Sequence, residues 1–215
     1  MFLKEIRHFY EWKDLLYSPE HFVQGFPAFE LAREWQEAEG IPEGVSNRLS
    51  RLKELSDLKF MFGIPQYKIS MPPLSQRSQA DLLAFCKNRA GLWILAVDGK
   101  DSLGPIISDW LEESPARLQK LSVLISALGI RLERTLSLRY QLLRRLYSLV
   151  SVMDDFSTPR GIFLVQRFGK NPGILDDFNQ LMEAFEIEPN HDFIPEPSII
   201  GGRSIYFALH SSSEL

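Results

Sequence analysis

The sequence predicts an α/β fold with a mixed central sheet and an N-terminal helical segment. Apolar residues recur at helical spacing on both sides of a block of three strand-like segments, and one further buried strand follows the second group of helices. This αβββαβ order requires a mixed sheet. Strands joined by a tight turn are antiparallel, whereas a strand that returns through a helical crossover is parallel to its neighbour.

Three helices are predicted in the first 60 residues. The first lies within residues 2–18 and ends before a proline. The second, PAFELAREWQEAE, covers residues 27–39, with a proline suited to the first helical turn and a glycine after its end. The third begins at Pro42 and has four apolar residues on one face: Val45, Leu49, Leu52 and Leu55.

Three strands are predicted between residues 67 and 97. The segment YKISMPP, from Tyr67, is a short strand ended by two prolines. The segments DLLAFCKN (81–88) and GLWILAV (91–97) are expected to form a hairpin, because Asn88 and Gly91 occupy the outer positions that a type I turn favours.

The second half alternates helices with strands. The predicted elements are helices over residues 114–128 and 137–153, a buried strand GIFLVQRF (161–168), a helix from 174 to 187 and a small hairpin around Gly201 and Gly202. The only linker candidate is the Pro-rich stretch 189–197. We therefore expect a single domain over residues 1–215, with N-terminal helices (1–60), a core (67–168) and a C-terminal helix and hairpin (171–215).

The composition is typical of a soluble globular protein. Of 215 residues, 45% are hydrophobic and 24% are charged, and the net charge is −4. The single Cys86 excludes an intramolecular disulfide, and the N-terminus has no apolar run of signal-peptide length, so a cytoplasmic protein is expected. The longest strongly apolar run, LWILAV, is far shorter than the ~20 residues that cross a bilayer, so no membrane partner is expected.

The charges are unevenly distributed along the chain. Residues 131–145 contain five arginines and one acid, whereas residues 171–196 contain seven acids and no lysine or arginine. A basic face is therefore compatible with the acidic total, and Arg139, Arg144 and Arg145 are candidates for contact with nucleic-acid phosphates. The alternative is an ordinary solvated helix face.

The sequence Asp98-Gly99-Lys100 directly follows the apolar run LWILAV. Residues two apart in a strand share a face, so the carboxylate and the ammonium project together. If the hairpin turn is symmetric, Asp81 lies directly opposite Asp98, with Cβ atoms roughly 4.5–5.5 Å apart. Like charges so close in apolar surroundings require a positive partner.

Mg²⁺ or Mn²⁺ suits such a pair, because Mg²⁺ usually takes one or two carboxylates together with water and substrate phosphate. A metal held by Asp81 and Asp98 would polarise a phosphodiester oxygen and activate a bound water. Lys100 would orient or deprotonate that water, or stabilise the pentavalent phosphate. The chemistry predicted for this site is phosphodiester hydrolysis.

This pattern resembles the signature of the PD-(D/E)xK nuclease superfamily: Asp81 is followed, after a gap of 16 residues, by Asp98-Gly99-Lys100 at the end of an apolar strand. The predicted element order resembles its restriction-endonuclease-like core. The resemblance implies a supporting Glu from the helix before the sheet, here Glu30 or Glu34, and a Gln from a later helix, here Gln141. This signature touches roughly residues 26–168. In addition, SQADLLAF, VDGKDSLGPIISDWLEESPARLQKL and LRYQLLRR resemble a bacterial family that spans nearly the whole chain and has no established activity.

Two departures and two alternatives accompany this interpretation. Ala80 replaces the usual Pro before Asp81, and Gln141 has no tyrosine four residues later. Asp98-Gly99 is also a common hairpin-turn pair, although no alternating strand follows it. A phosphate-binding loop is excluded, because Ile94 replaces the glycine required five residues before Gly99.

The expected function is a Mg²⁺-dependent nuclease that hydrolyses nucleic-acid phosphodiester bonds, with DNA favoured over RNA. Its catalytic residues would be Asp81, Asp98 and Lys100, supported by Glu30 and Gln141. The alternative is a non-catalytic module of the same fold that binds nucleic acid or a protein partner, as in a defence or mobile-element system. Many nucleases of this fold are homodimers, although no heptad or apolar patch indicates an interface here.

Overall fold

The computed structural model describes residues 5–71, 74–190 and 194–212. The two prolines predicted to end the first strand, and residues 191–193 of the linker candidate, lie outside these ranges. The described chain forms one six-stranded sheet with the order β1-β2-β3-β4-β6-β5. The strands are β1 (Lys59–Met71), β2 (Leu74–Asn88), β3 (Gly91–Lys100), β4 (Arg160–Arg167), β5 (Ser198–Ile200) and β6 (Arg203–Ser211).

The sheet is mixed, as predicted. Strands β1, β2 and β3 form an antiparallel meander, whereas β3, β4 and β6 run parallel in the centre. Strand β5 pairs with β6 in the predicted C-terminal hairpin, which adds to the main sheet. Because the three parallel strands end at the same edge, Lys100, Arg167 and Ser211 lie side by side there.

Six α-helices lie among the described residues, and they cover both faces of the sheet. They are α1 (Pro27–Glu37), α2 (Glu43–Leu49), α3 (Ile107–Glu112), α4 (Ala116–Leu128), α5 (Tyr140–Asp155) and α6 (Gly173–Ala184). One apolar core lies between the sheet and α3 to α6, and a second lies between the sheet and α1, α2 and the N-terminal segment. None of the described helices is long and apolar enough to cross a membrane.

The elements before the sheet differ most from the prediction. The first helix is a short 3₁₀ helix, Phe9–Leu15, and the third is divided into α2 and a 3₁₀ turn at Lys53–Leu55. Short helices of this kind are stabilised by the apolar side chains that they bury, here Trp12, Val45 and Leu55, rather than by their own length.

The meander is longer than predicted, because β1 begins eight residues before Tyr67 and β2 begins seven before Asp81. The ladder between β1 and β2 is interrupted at Gln66, between the pair of Pro65 with Leu82 and the pair of Tyr67 with Ala80. Gln66 has a left-handed backbone (φ 51°), and its side-chain amide donates to the carbonyl of Asp81 (3.4 Å). Beyond this irregularity, Ile69 and Met71 pack into the core beneath α5. This part of the meander contacts α5, and Asp81 lies next to Leu82, the last residue of β2 that pairs with β3.

Candidate active site at the ends of β2 and β3

The predicted hairpin register is confirmed. Strands β2 and β3 pair from Asn88 with Gly91 to Leu82 with Val97, and the amide of Ala90 is held by the side chain of Asn88 (2.9 Å). Alternate residues of β3 therefore face opposite cores. Ala96, Asp98 and Lys100 share the face covered by α5.

Asp98 and Lys100 are almost completely buried, with 2% and 8% of their surfaces exposed. Burial of an unpaired charge is strongly unfavourable, so both side chains need oppositely charged partners. The ammonium of Lys100 provides one for each acid. Its Nζ lies 3.2 Å from Oδ2 of Asp81 and 3.9 Å from Oδ1 of Asp98. The structure thus places the three residues together.

Asp81 lies just beyond the last ladder pair, Leu82 with Val97. Its carboxylate does more than face Asp98, because Oδ2 also accepts a hydrogen bond from the backbone amide of Gly99 (3.0 Å). Asp81 is therefore held by the backbone of Gly99 and by the side chain of Lys100, both at the end of β3. The repulsion expected between the two acids is offset by Lys100, which lies between them.

Arg145 supplies the second cation beside Asp98. Its Nε lies 3.1 Å from Oδ2 of Asp98, and its Nη1 donates to Oγ of Ser78 (3.0 Å). Only 7% of Arg145 is exposed. The sequence analysis assigned this arginine to nucleic-acid phosphates, whereas the structure places it in a buried ion pair with the predicted metal ligand.

Two carboxylates at this site, those of Asp81 and Asp98, are oxygen groups of the kind that a divalent cation takes as ligands. Both carboxylate oxygens of Asp98 are buried, and neither accepts a well-aligned hydrogen bond from a described residue, although two cations lie within ion-pair distance. Such oxygens retain capacity for a further cationic partner. No group of three or more His, Cys, Asp or Glu side chains suited to a metal occurs in the described residues. Asp81 and Asp98 would therefore supply two ligands, and water or substrate the others.

Gly99, between the two charged residues, allows the helix α1 to approach the sheet closely. A Cβ atom at this position would lie 3.0 Å from Cδ1 of Leu31 and 3.3 Å from the carbonyl oxygen of Pro27. The glycine is therefore required by packing on the face opposite the charges. The strand places Asp98 and Lys100 on one face of the sheet. The packing of α1 on the other face leaves little room for a side chain at position 99.

Glu30 and Glu34 lie on α1, which packs on the sheet face opposite Asp98 and Lys100. Glu30 is buried, forms an ion pair with Arg33 (2.6 Å) and accepts from the amide of Gly25 (2.7 Å). Glu34 accepts hydrogen bonds from Gln166 and Ser212. Burial raises the pKa of Glu34, and these hydrogen bonds oppose the shift. The structure therefore does not bring either glutamate to the Asp98 carboxylate.

Gln141 and Arg144 line a cavity of about 480 Å³ between the start of α5 and the loop of residues 102–105. We name it the Arg144 cavity. One of its lining residues, Ser102, follows Lys100 by two positions. Burial, followed by the nearby charge of Arg145, lowers the pKa of Arg144, and the charge of Asp98 acts in the opposite direction. Gln141 therefore lies beside the candidate site, without a direct contact to Asp98 in the structure.

Arg139 links the start of α5 to α6 and to the loop of residues 102–105. Its Nε donates to Oδ1 of Asp177 on α6 (2.8 Å), and its Nη1 donates to the carbonyl of Gly104 (3.1 Å). Of the three arginines that sequence analysis assigned to nucleic acid, Arg139 and Arg145 have acidic partners within the protein, and Arg144 faces a cavity.

Sequence reasoning missed the pairing of Arg145 with Asp98 and the contribution of Ser78. The available signal was helical spacing. Arg145 lies three residues after Leu142 and one before Leu146, so it belongs to the buried side of α5, where an arginine requires an acidic partner. Ser78 carried no such signal, because β2 was predicted to begin at Asp81.

The chain was compared with known proteins. Neither the curated proteins nor the solved structures contain a significant match to it. Residues 5–214 match a family described as a domain of unknown function, DUF6946. This match covers nearly the whole chain, including both acids and the lysine of the candidate site, and the chain therefore belongs to the DUF6946 family.

Proposed function

We propose that this protein is a metal-dependent nuclease that hydrolyses nucleic-acid phosphodiester bonds, with DNA the favoured substrate. The observation that carries the proposal is the meeting of Asp81 and Asp98 around Lys100, with Nζ 3.2 Å and 3.9 Å from the two carboxylates. Two acids and a lysine at the end of neighbouring strands are groups that can support metal-assisted phosphodiester hydrolysis.

The arrangement of elements supports a restriction-endonuclease-like core. Helix α1 is followed by the antiparallel strands β1, β2 and β3, and then by helices that lead to β4, which is parallel to β3. This is the αβββαβ order that the sequence resemblance implies. Asp81 lies on the second strand and Asp98 and Lys100 on the third, as in the signature hairpin.

Asp81 and Asp98 would hold Mg²⁺ or Mn²⁺, and the bound ion would polarise a phosphoryl oxygen and lower the pKa of a bound water. Lys100 would donate a hydrogen bond to the attacking water or to a non-bridging phosphate oxygen, because its ammonium is fixed between the acids. Arg145 would orient Asp98 through the buried ion pair. Two acids with Lys100, Arg144 and Arg145 leave one positive charge, which favours an anionic substrate.

The test is cleavage of plasmid DNA and labelled oligonucleotides in Mg²⁺ or Mn²⁺ by the full chain. We expect Asp98→Asn and Lys100→Met to abolish cleavage. The matched control is Asp101→Asn, which removes an exposed carboxylate one residue beyond the lysine and should leave the rate within about twofold. Equal cleavage by the wild type and by Asp98→Asn would refute the assignment.

Metal binding provides a readout that is independent of turnover. Calorimetric titration with Mn²⁺ should show one site in the wild type and in Asp101→Asn, and none in the double variant Asp81→Asn/Asp98→Asn. Both variants carry conservative changes, and thermal unfolding would confirm that each is folded. Binding that persists without the two acids would place the metal elsewhere.

A second candidate function is a non-catalytic module of the same fold that binds nucleic acid or a protein partner. The observation that favours it is the neutralisation of Asp98 by Arg145 and Lys100, which satisfies the buried charge without a metal. Salt-dependent DNA binding that is unchanged by Asp98→Asn, together with no cleavage and no Mn²⁺ site, would support this alternative.

A further inference from the structure

The Arg144 cavity is lined by polar groups that the acidic site does not use. It is lined by the loop of residues 102–105, Trp110, Tyr140, Gln141 and Arg144, and none of its eight lining residues is acidic. Its volume of about 480 Å³ lies within the range of about 300–1,000 Å³ that is typical of small-molecule sites.

Two polar atoms of residues that line this cavity lack a hydrogen bond, although the two residues interact electrostatically with each other. The hydroxyl of Tyr140 and Nε of Arg144 are both buried, and neither forms a hydrogen bond with any described residue. A buried donor without a hydrogen bond is unfavourable, and more so when it is charged. Native proteins retain such groups mainly where a ligand, an ion or a water completes them.

The walls of the cavity are held in place by the fold. The rings of Trp110 and Tyr140 stack with centroids 3.7 Å apart, and Nη1 of Arg117 donates to the carbonyl of Trp110 (2.7 Å). On the opposite side, Arg139 holds the carbonyl of Gly104, and the amide of Tyr140 donates to the carbonyl of Pro105 (3.4 Å). Tyr140 and Arg144 therefore line a preformed space.

We propose that the Arg144 cavity binds a phosphate group of the nucleic acid next to the phosphate at the Asp98–Lys100 site. A guanidinium presents its donors in a planar fork that matches phosphate oxygens, and the Tyr140 hydroxyl supplies a further donor. The loop that lines the cavity begins at Ser102, two residues after Lys100, and the charge of Asp98 acts on Arg144, so the two places are neighbours. This inference rests on the proposed nuclease function and specifies how its substrate is held.

The electrostatics of Arg144 agree with an anionic ligand. Burial and the neighbouring Arg145 both lower its pKa, whereas Tyr140 and Asp98 act in the opposite direction, so a bound anion would favour the charged guanidinium. A bound phosphate would provide the missing negative charge. A base or another apolar ligand would leave it uncompensated.

The test measures binding without divalent metal, so that cleavage plays no part. Fluorescence anisotropy of a labelled single-stranded 12-mer in EDTA, at several salt concentrations, gives Kd and its salt slope. Arg144→Gln should weaken binding about tenfold or more and reduce the slope by about one. The matched control is Arg131→Gln, which removes an exposed arginine outside the cavity and should change Kd by less than about twofold.

Tyr140→Phe distinguishes a ligand role from a structural one. The change removes a buried hydroxyl that has no partner, so the melting temperature should stay equal or rise, while the affinity for the 12-mer falls. A purely structural residue would not show this opposite behaviour. Arg144→Lys, which keeps the charge but loses the planar fork, should recover part of the affinity.

Comparison of 12-mers with a 5′-hydroxyl and a 5′-phosphate identifies the source of the phosphate. An equal loss on both for Arg144→Gln assigns an internal phosphodiester, and a loss confined to the phosphorylated strand assigns a terminal phosphate. If Arg144→Gln matches Arg131→Gln, or if the wild type binds neither strand, the subsite is refuted. Cleavage with no Arg144-dependent binding would refute the subsite alone, and Arg144-dependent binding without cleavage would refute the nuclease function alone.

Discussion

The guanidinium of Arg145 on α5 lies 3.1 Å from the carboxylate of Asp98 on β3, and both side chains are buried. This pair joins the helical layer to the candidate site. It also explains how an acid can be buried at the end of an apolar strand, because the charge of Asp98 has a cationic partner that is distant in sequence. The first prediction concerns this pair.

Arg145→Met should destabilise the protein by about 3–5 kcal/mol, because Asp98 would keep only the more distant Lys100 as a cationic partner. The measurement is chemical denaturation. In a double-mutant cycle, Arg145→Met in the Asp98→Asn background should cost much less, since no buried charge is then left unpaired. Additive losses in the two backgrounds would show that the pair is not coupled.

The Asp98–Arg145 relationship marks the limit of what the sequence could predict. The register of β2 and β3 followed from local features, a two-residue turn between Asn88 and Gly91 and apolar residues on the strands. The end of α4 at Gly129 followed in the same way, since that residue adopts the left-handed conformation that favours glycine (φ 68°). Such features depend on neighbouring residues only.

The remaining features depend on tertiary packing. The pairing of Asp98 with Arg145 requires knowledge of where α5 crosses the sheet, which spacing along the chain does not provide. The first half of β1, KFMFGIPQ, lacks strict alternation and contains Gly63 and Pro65, so its strand structure is set by pairing with β2. Likewise, the sequence of α1 does not allow a prediction of which face of the sheet the helix covers, which is the face opposite Asp98.

Gly99→Ala should lower the free energy of unfolding by about 1–3 kcal/mol, because the added methyl would press on Leu31, Phe168 and the carbonyl of Pro27. The matched control is Gly104→Ala, where a Cβ meets open space, and its effect should stay within about 0.5 kcal/mol. Urea denaturation measures both. Equal stability of the two variants would mean that α1 does not depend on this close approach.

Glu30→Gln tests whether α1 contributes to the site. The carboxylate of Glu30 is buried with Arg33 and the amide of Gly25, so its loss should cost about 1–3 kcal/mol of stability. The affinity for Mn²⁺ should stay unchanged, because α1 packs on the other face of the sheet. Glu37→Gln, at the exposed end of the same helix, serves as the control. A weakened metal site in Glu30→Gln alone would restore its predicted catalytic role.

Arg139→Gln should affect stability more than nucleic-acid binding. The variant loses the ion pair with Asp177 and the bond to Gly104, with an expected cost of about 1–3 kcal/mol. Its affinity for a DNA oligonucleotide should remain closer to the wild type than that of Arg144→Gln. Thermal unfolding and anisotropy measure the two effects. The opposite order of affinities would show that Arg139, rather than Arg144, contacts phosphate.

Glu34→Gln should become more stabilising as the pH rises. Burial raises the pKa of Glu34 in the folded protein, so between its unfolded and folded pKa values the folded state binds more protons, and the stability contributed by this group falls with rising pH. A glutamine at this position keeps an acceptor for Gln166 or Ser212 and carries no charge to desolvate. The difference in unfolding free energy between Glu34→Gln and the wild type should therefore grow from pH 4 to pH 7, as measured by urea denaturation. Glu37→Gln, which removes a charge from the same helix, controls for the change in net charge. If the difference in unfolding free energy between Glu34→Gln and the wild type shrank over this range, the hydrogen bonds from Gln166 and Ser212 would stabilise the carboxylate more than burial disfavours it.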